Sequence, residues 1–275
     1  MMSGAEGILK LRFRRRKSGK TYIANQFYQL PLQVLPPYYN DADGTAFTYI
    51  LNPSGGVLQN DRLAVEIAVE EGARVLVTTP SAGKFYKMED GHAELTNSFE
   101  VAAEAVLEYL PEYNIPYANT KIYQQTEFRL KKDARLIAAD MIIPGRTERG
   151  ELFAYDLYSS KTKIFVEDEL KAYEYVKLEP KKTDITGFGV LHGRKIYGTM
   201  FFYARTLPLE IGDEVRAIFE SRKNAEGGVS FPDESLGVVK IIGDTVGEMQ
   251  DIMAEIWGIA RRHMLGKDRV RIRKF

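Results

Sequence analysis

Hydrophobic and polar positions alternate along most of this chain with a period of two, the spacing of half-buried β-strands. The clearest case covers residues 120–130, where Ile122, Phe128 and Leu130 fall on one parity and Lys121, Gln125, Glu127 and Arg129 on the other. A second alternation covers residues 170–178, with Leu170, Ala172, Val176 and Leu178 on one face and Lys171, Tyr173, Tyr175 and Lys177 on the other. Near the start, the basic block Arg12, Arg14, Arg15, Arg16, Lys17 and Lys20 predicts a strand running into a turn. It reads as a solvated strand edge rather than a binding patch, because charge there discourages edge pairing. Strands are expected over residues 47–51, 62–69 and 74–79, separated by the turns Asn52-Pro53-Ser54-Gly55-Gly56 and Glu71-Gly72-Ala73.

The last quarter changes period. Ile211, Val215, Ile218 and Phe219 suit one face of a helix over residues 210–222, with Gly227-Gly228 as its stop. Over residues 245–264, Val246, Met249, Met253, Ile256, Trp257, Ala260 and Met264 recur mostly at three or four positions. Thr245 and Glu248 have the spacing of a capping box, and Arg261 and Arg262 stand where cations complement a helix dipole. The Met and Trp stripe is expected in the core rather than in a partner groove. No linker and no fixed-period repeat divides the chain. The expectation is one domain over residues 1–275, mainly β, with two α-helices in the C-terminal third.

Composition narrows the function. Lys and Arg balance Asp and Glu at 38 each, so no field of one sign draws in nucleic acid or an acidic membrane. Cysteine is absent, which removes disulfides, thiolate zinc sites and a cysteine nucleophile. Residues 1–20 lack an apolar signal core, and no apolar run approaches about 18 residues, so a soluble, cytoplasmic protein is expected.

Catalytic candidates are few. His92, His192 and His263 stand in no pattern, and a solvent-exposed role is expected for each. Ser81-Ala82-Gly83-Lys84 has the tail of a phosphate-binding loop without its upstream glycine or the following hydroxyl. The remaining candidates are carboxylates beside glycine turns: Asp61, Asp140, and Glu151 in the segment Gly145-Arg146-Thr147-Glu148-Arg149-Gly150-Glu151. Asp140 and Glu151 would serve a carbohydrate-active hydrolase as acid and base if the fold held them at a suitable separation. The competing reading of that segment is an Arg–Glu paired loop capping a sheet. For Asp61-Arg62 it is a turn-fixing hydrogen bond and a surface ion pair.

Three segments taken together point further. The run from Asn52 through Gly55, Gly56, Asp61 and Arg62 to Leu63, then Val77-Thr78-Thr79-Pro80-Ser81-Ala82-Gly83-Lys84-Phe85-Tyr86, then Gly145-Arg146 with Gly150-Glu151, resemble the successive signatures of the UreD/UreH urease accessory family. The likeness extends to Leu107-Glu108-Tyr109-Leu110-Pro111-Glu112 and to a closing segment over residues 269–275. Two positions depart from the family: Gln59 and Asn60 replace its usual glycines, and Thr147-Glu148-Arg149 replaces small residues.

The resemblance implies a β-helix-like stack of sheets with two helices, and a non-enzymatic scaffold for urease maturation. Its implied partners are a helical UreF-type protein, a UreG-type GTPase and the urease apoenzyme, with nickel in transit and no tightly bound cofactor. Carried over residue by residue, Asp61, Asp140 and Glu151 would lie along a nickel passage. Ser81 and Tyr86 would stand nearby, and Lys84 and Arg146 would organise the loops. A partner-binding patch is expected in the C-terminal third, around Phe201, Phe202 and Tyr203 and the two helices. The rival readings are the hydrolase above and a purely structural oligomer without metal traffic.

Overall fold

Each apolar parity turns toward one interior, and the chain reaches that interior by winding. The computed structural model describes residues 4–272; residues 1–3 and the end of the closing segment, 273–275, lie outside the described residues. In chain order the strands are β1 (Glu6–Arg15), β2 (Thr21–Gln29), β3 (Gln33–Val34), β4 (Ala46–Leu51), β5 (Arg62–Val69), β6 (Arg74–Thr78), β7 (Gly83–Phe85), β8 (Ala93–Val101) and β9 (Val106–Leu110). There follow β10 (Asn114–Pro116), β11 (Lys121–Leu130), β12 (Arg135–Ile142), β13 (Leu157–Val166), β14 (Glu169–Leu178) and β15 (Ile196–Tyr203). Helix α1 (Glu210–Glu220), β16 (Ala225–Asp233), β17 (Leu236–Gly243) and α2 (Val246–Ala260) complete the described chain.

From β5 to β13 the chain passes alternately between two sheets, so successive coils stack in parallel. One sheet has seven strands in the order β14-β13-β11-β8-β5-β1-β2. The other follows β16-β17-β15-β12-β9-β6-β4-β3, with β7 and β10 attached beside β12. The fold is therefore mainly β and solenoid-like, as expected. Successive coils take 32, 29 and 36 residues, measured from Arg62 to Glu94, Tyr123 and Ser159 in one register row. Unequal coils explain why no fixed period is visible in the sequence.

A shorter repeat does survive at the corner between the sheets. Ala73, Ala105 and Ala134 are all fully buried there. Val106 N–H donates to the Ala73 carbonyl at 2.9 Å and Arg135 N–H to the Ala105 carbonyl at 2.9 Å. Stacked backbones leave room for a methyl and nothing larger. Replacing Ala105 by leucine is expected to cost about 1–3 kcal/mol through overpacking; urea unfolding with the wild-type midpoint would show that the corner is loose.

The first core fills the space between the sheets, with Phe13, Ile67, Phe99 and Phe128 facing Leu107, Leu136 and Phe201. A second core lies on the other side of the larger sheet, where Met200, Phe202, Val239 and Ile241 meet Ile211 and Val215 of α1 and Met249, Ile252 and Ile256 of α2. The larger sheet is thus covered on both faces, which makes β15 apolar at consecutive positions. Phe201, Phe202 and Tyr203 are 3%, 0% and 2% exposed, so they belong to the core and not to a partner patch.

Other expectations shift for local reasons. A register break between Ile164 and Phe165 turns Leu170 outward, away from the face it shares by parity with Ala172 and Val176. Gly227 and Gly228 do not stop α1; they lie in β16, where a Cβ on Gly227 would stand 2.4 Å from the Phe219 ring. Thr245 caps α2 by accepting from Glu248 N–H at 3.4 Å. Beyond α2 a wider turn covers Arg261–Leu265 and ends at Gly266 with φ +65°. Arg261, expected as a dipole-complementing cation, is instead fully buried.

Candidate functional site

The interior of the seven-stranded sheet is apolar except along one band. Asn97, Thr126, Thr162 and Glu174 stand in a single register row across β8, β11, β13 and β14, with Gln124 and Ser160 in the row beside it. Asn97 Nδ2 donates to Thr126 Oγ1 at 3.2 Å. From the facing sheet, β12 presents Asp140 on the same parity as Leu136, Ala138 and Ile142, whose side chains enter the first core.

Asp140 is the centre of this band. Its Oδ1 accepts from Asn114 Nδ2 at 3.1 Å and from the Met141 N–H at 3.0 Å, and its Oδ2 accepts from Gln124 Nε2 at 3.3 Å. The Tyr158 and Ser160 hydroxyls lie at 3.5 Å. The residue is remote from bulk solvent, yet it lines a cavity of about 430 Å³ between the sheets and so keeps some accessible surface. Burial, reinforced by the Glu174 charge, pushes its carboxyl up to about 6.

Asn52, Gly55, Gly56, Thr79, Ser81 and Lys84 line one side of this cavity. The first two signature segments therefore meet at one place. Val57 N–H donates to the Lys84 carbonyl at 2.8 Å, and Tyr86 N–H to the Val57 carbonyl at 2.9 Å. Only glycine fits at position 56, because a Cβ would stand 2.4 Å from the Tyr86 ring and 2.7 Å from the Lys84 carbonyl oxygen. The Tyr86 hydroxyl donates to the Gly55 carbonyl at 3.4 Å.

Along the band from this lining lies Glu174. Its side chain is 9% exposed, accepts from the Tyr197 hydroxyl at 2.6 Å, and pairs with Lys240 Nζ at 3.4 Å. Lys240 is 62% exposed, so the band reaches the surface there. Sequence reading passed over Glu174, although the signal was present: it shares its parity with Ala172, Val176 and Leu178, and a carboxylate on an apolar strand face is the informative exception.

The other predicted carboxylates stand elsewhere. Asp61 is 3% exposed and accepts from the Ala5 N–H at 2.8 Å and the Leu58 N–H at 2.8 Å, so both its oxygens hold the backbone that enters β5. Arg62 is exposed and lies 3.9 Å from Glu94. The preceding Asn60 takes φ +65°, the left-handed conformation that glycine occupies readily and asparagine tolerates. Glu151 accepts from Arg146 Nε at 2.8 Å and from Arg146 Nη2, and from the Ala118 N–H at 3.2 Å. Arg146 also stacks on the Tyr117 ring at 4.0 Å. Hydrogen bonding from Arg146 holds the Glu151 carboxyl below its ordinary value.

This is the Arg–Glu paired loop. A Cβ on Gly145 would lie 2.6 Å from the Glu151 carbonyl oxygen, while Gly150 closes the short 3₁₀ turn Thr147–Arg149 with φ +76°. Glu151 does not line the cavity that contains Asp140, so the fold does not bring the two together as an acid and base pair.

The three histidines pair with single glutamates: His92 with Glu94 at 2.8 Å, His192 with Glu226 at 3.3 Å and His263 with Glu214 at 2.6 Å. Among the described residues no group of three or more His, Cys, Asp or Glu side chains is arranged to hold a metal ion. The donors along the band are carboxylate, amide and hydroxyl groups, which hold a late first-row cation less tightly than imidazole or thiolate. No helix among the described residues is long and apolar enough to cross a membrane.

Comparison with known proteins agrees with the signatures. The family profile described as UreD urease accessory protein matches residues 5–274. A urease accessory protein UreD of Bacillus cereus is 27% identical over 274 residues, covering 100% of both chains. That of Acetivibrio thermocellus is 28% identical, over 93% of this chain and 97% of its own. That of Cenarchaeum symbiosum is 30% identical, over 99% of this chain and 97% of its own. A match that runs through both sheets and both helices leaves one conclusion: the chain belongs to the UreD family of urease accessory proteins.

Proposed function

We propose that this chain is a non-enzymatic scaffold of urease maturation in the cytoplasm. It binds the urease apoenzyme together with a helical UreF-type protein and a UreG-type GTPase, and nickel crosses it in transit. The observation that carries the reading is the oxygen-lined band from the glycine-edged cavity, past Asp140, to Glu174. A route must release what it carries. Carboxylate, amide and hydroxyl oxygens bind nickel weakly enough for onward transfer, whereas a site rich in nitrogen and sulfur would retain it. Asp61 and Glu151 support the route indirectly, by holding the loop before β5 and the loop after β12.

The test is reconstitution of apo-urease with nickel, GTP, bicarbonate and both partner proteins, with and without this chain. Activation is expected to depend on the chain. Replacing Asp140 and Glu174 together by alanine is expected to lower nickel loading severalfold while complex assembly, measured by size exclusion, persists. Full activation without the chain would end the reading, and full loading by the double variant would end the passage. Sugar release from polysaccharides by the chain alone would favour the hydrolase, which needs Glu151 in a position the fold does not supply.

A further inference from the structure

The outer face of the seven-stranded sheet is charged, and most of its cations are neutralised in place. Lys10 pairs with Glu66 at 2.9 Å, Arg14 with Glu70 at 2.6 Å and Arg129 with Glu127 at 2.8 Å. Lys161 and Lys163 on β13 break this rule: neither has a carboxylate within ion-pair distance among the described residues. Each stands in register with a tyrosine of the edge strand, Lys161 with Tyr175 and Lys163 with Tyr173. Lys161 Nζ lies 5.1 Å from the Tyr175 ring centre. The two tyrosines are 46% and 53% exposed.

β14 ends its sheet, so among the described residues one side of its backbone has no neighbouring strand. It spans 10 residues, contains no proline, and exposes Leu170 as well as the tyrosines. Edges left this open pair with added strands. Lys171 pairs with Glu169 at 3.1 Å and with Asp233 of β16 at 3.7 Å, and Lys177 with Glu179 at 2.6 Å, so neither lysine is a free charge that would blunt the edge.

We infer that this edge is a docking surface for an extended acidic segment of a protein partner, which adds beside β14 and places carboxylates over Tyr173 and Tyr175 toward Lys161 and Lys163. An added strand would lie two strand spacings, roughly 10 Å, from β13, within the combined reach of a glutamate and a lysine side chain. A second copy of this chain fits less well, because antiparallel pairing of two β14 strands would bring two lysine-bearing faces side by side. Nucleic acid fits less well too, since two unpaired lysines are too few to hold a polyphosphate backbone, whereas they can meet single carboxylates on an added strand. The surface lies outside the interior band, and the inference does not depend on nickel passage.

The probe is a labelled ten-residue peptide alternating glutamate and valine, titrated against the full chain at low and at physiological salt. Binding is expected to weaken with salt and to protect the amides of residues 169–178 from hydrogen exchange. Lys161→Glu with Lys163→Glu is expected to weaken it about tenfold, and Tyr173→Ser with Tyr175→Ser to weaken it as well, all with wild-type melting curves. Unchanged affinity in the lysine variant, no protection of β14, equal binding of a lysine–valine peptide, tighter binding of oligo-dT, or concentration-dependent self-association through β14 would each overturn the proposal. Because urease activation is not the readout, failure here leaves the maturation reading standing, and the converse holds.

Discussion

Replacing Arg261 by methionine is expected to destabilise the protein by about 3–5 kcal/mol. The guanidinium is 0% exposed and pairs with Asp41, while its Nε lies 3.2 Å from Glu108 Oε2. Its Nη1 donates to the Asp268 carbonyl at 2.8 Å. Lys267 extends the cluster, reaching Asp41 at 3.1 Å and Asp43 at 2.7 Å, and Arg74 also pairs with Asp43. Three cations therefore face three carboxylates. Removing Arg261 leaves Asp41 with Lys267 alone and Glu108 with no cation beside it.

The same cluster predicts a smaller effect at its other end. Burial pushes the Glu108 carboxyl up against the opposing pull of Arg261, and Oε1 has no hydrogen-bond partner among the described residues. Glu108→Gln keeps an acceptor for Trp257 Nε1, now 2.6 Å from Oε2, and is expected to cost less than Arg261→Met, because Arg261 retains Asp41 and the Asp268 carbonyl. Urea unfolding of both variants decides the matter. Equal losses would mean that Glu108 matters to Arg261 as much as Asp41 does, and a loss below about 1 kcal/mol for Arg261→Met would mean that the cluster does not lock α2 to the sheet.

Asp140→Asn is expected to stabilise the metal-free protein near neutral pH while impairing nickel loading. In the unfolded chain Asp140 titrates at its ordinary value of 3.8, and in the folded chain at about 6. Well below pH 3.8 it is protonated in both states and adds no pH dependence. Between those values the unfolded chain releases the proton and the folded chain retains it, so stability falls as pH rises. Above about pH 6 the penalty is complete, at about 3 kcal/mol by linkage. The asparagine variant lacks that fall. Stability curves at pH 4, 5, 6 and 7.5 that run parallel for the two proteins would show that Asp140 ionises freely. A carboxylate that weakens the fold where it is charged points to a purpose other than stability.

Much of the framework was legible because strand parity is a local property. β5 starts and ends where its alternation and flanking turns place it, and β11 buries Ile122, Phe128 and Leu130 as its parity requires. Helix α2 was legible for the same reason, since its apolar stripe and its Thr245 cap are both written in neighbouring residues. The signature glycines were legible as turns. That Gly56 must yield to the Tyr86 ring was not, because the two are thirty residues apart and meet only across stacked coils.

Candidate carboxylates illustrate the boundary most sharply. Asp61, Asp140 and Glu151 look alike in the sequence, each beside an apolar stretch or a glycine turn. The fold gives the first to backbone N–H groups, the third to Arg146, and leaves only Asp140 on the wall of a cavity. Glu174 extends the polar band beside it because β14 pairs in one register with β13, a choice made between strands and not within one. Arg261 is a surface-looking charge whose partner Asp41 lies 220 residues away.

What the sequence by itself determined was therefore the mainly β character, several of the strands with their flanking turns, the two helices and the family, since each follows from residues close together along the chain. The tertiary structure decided which carboxylate lines the interior cavity, which are taken up by backbone N–H groups or Arg146, and which aromatics are core. Those depend on the stacking of coils of unequal length, where burial and electrostatic partners arise only once distant segments share an interior.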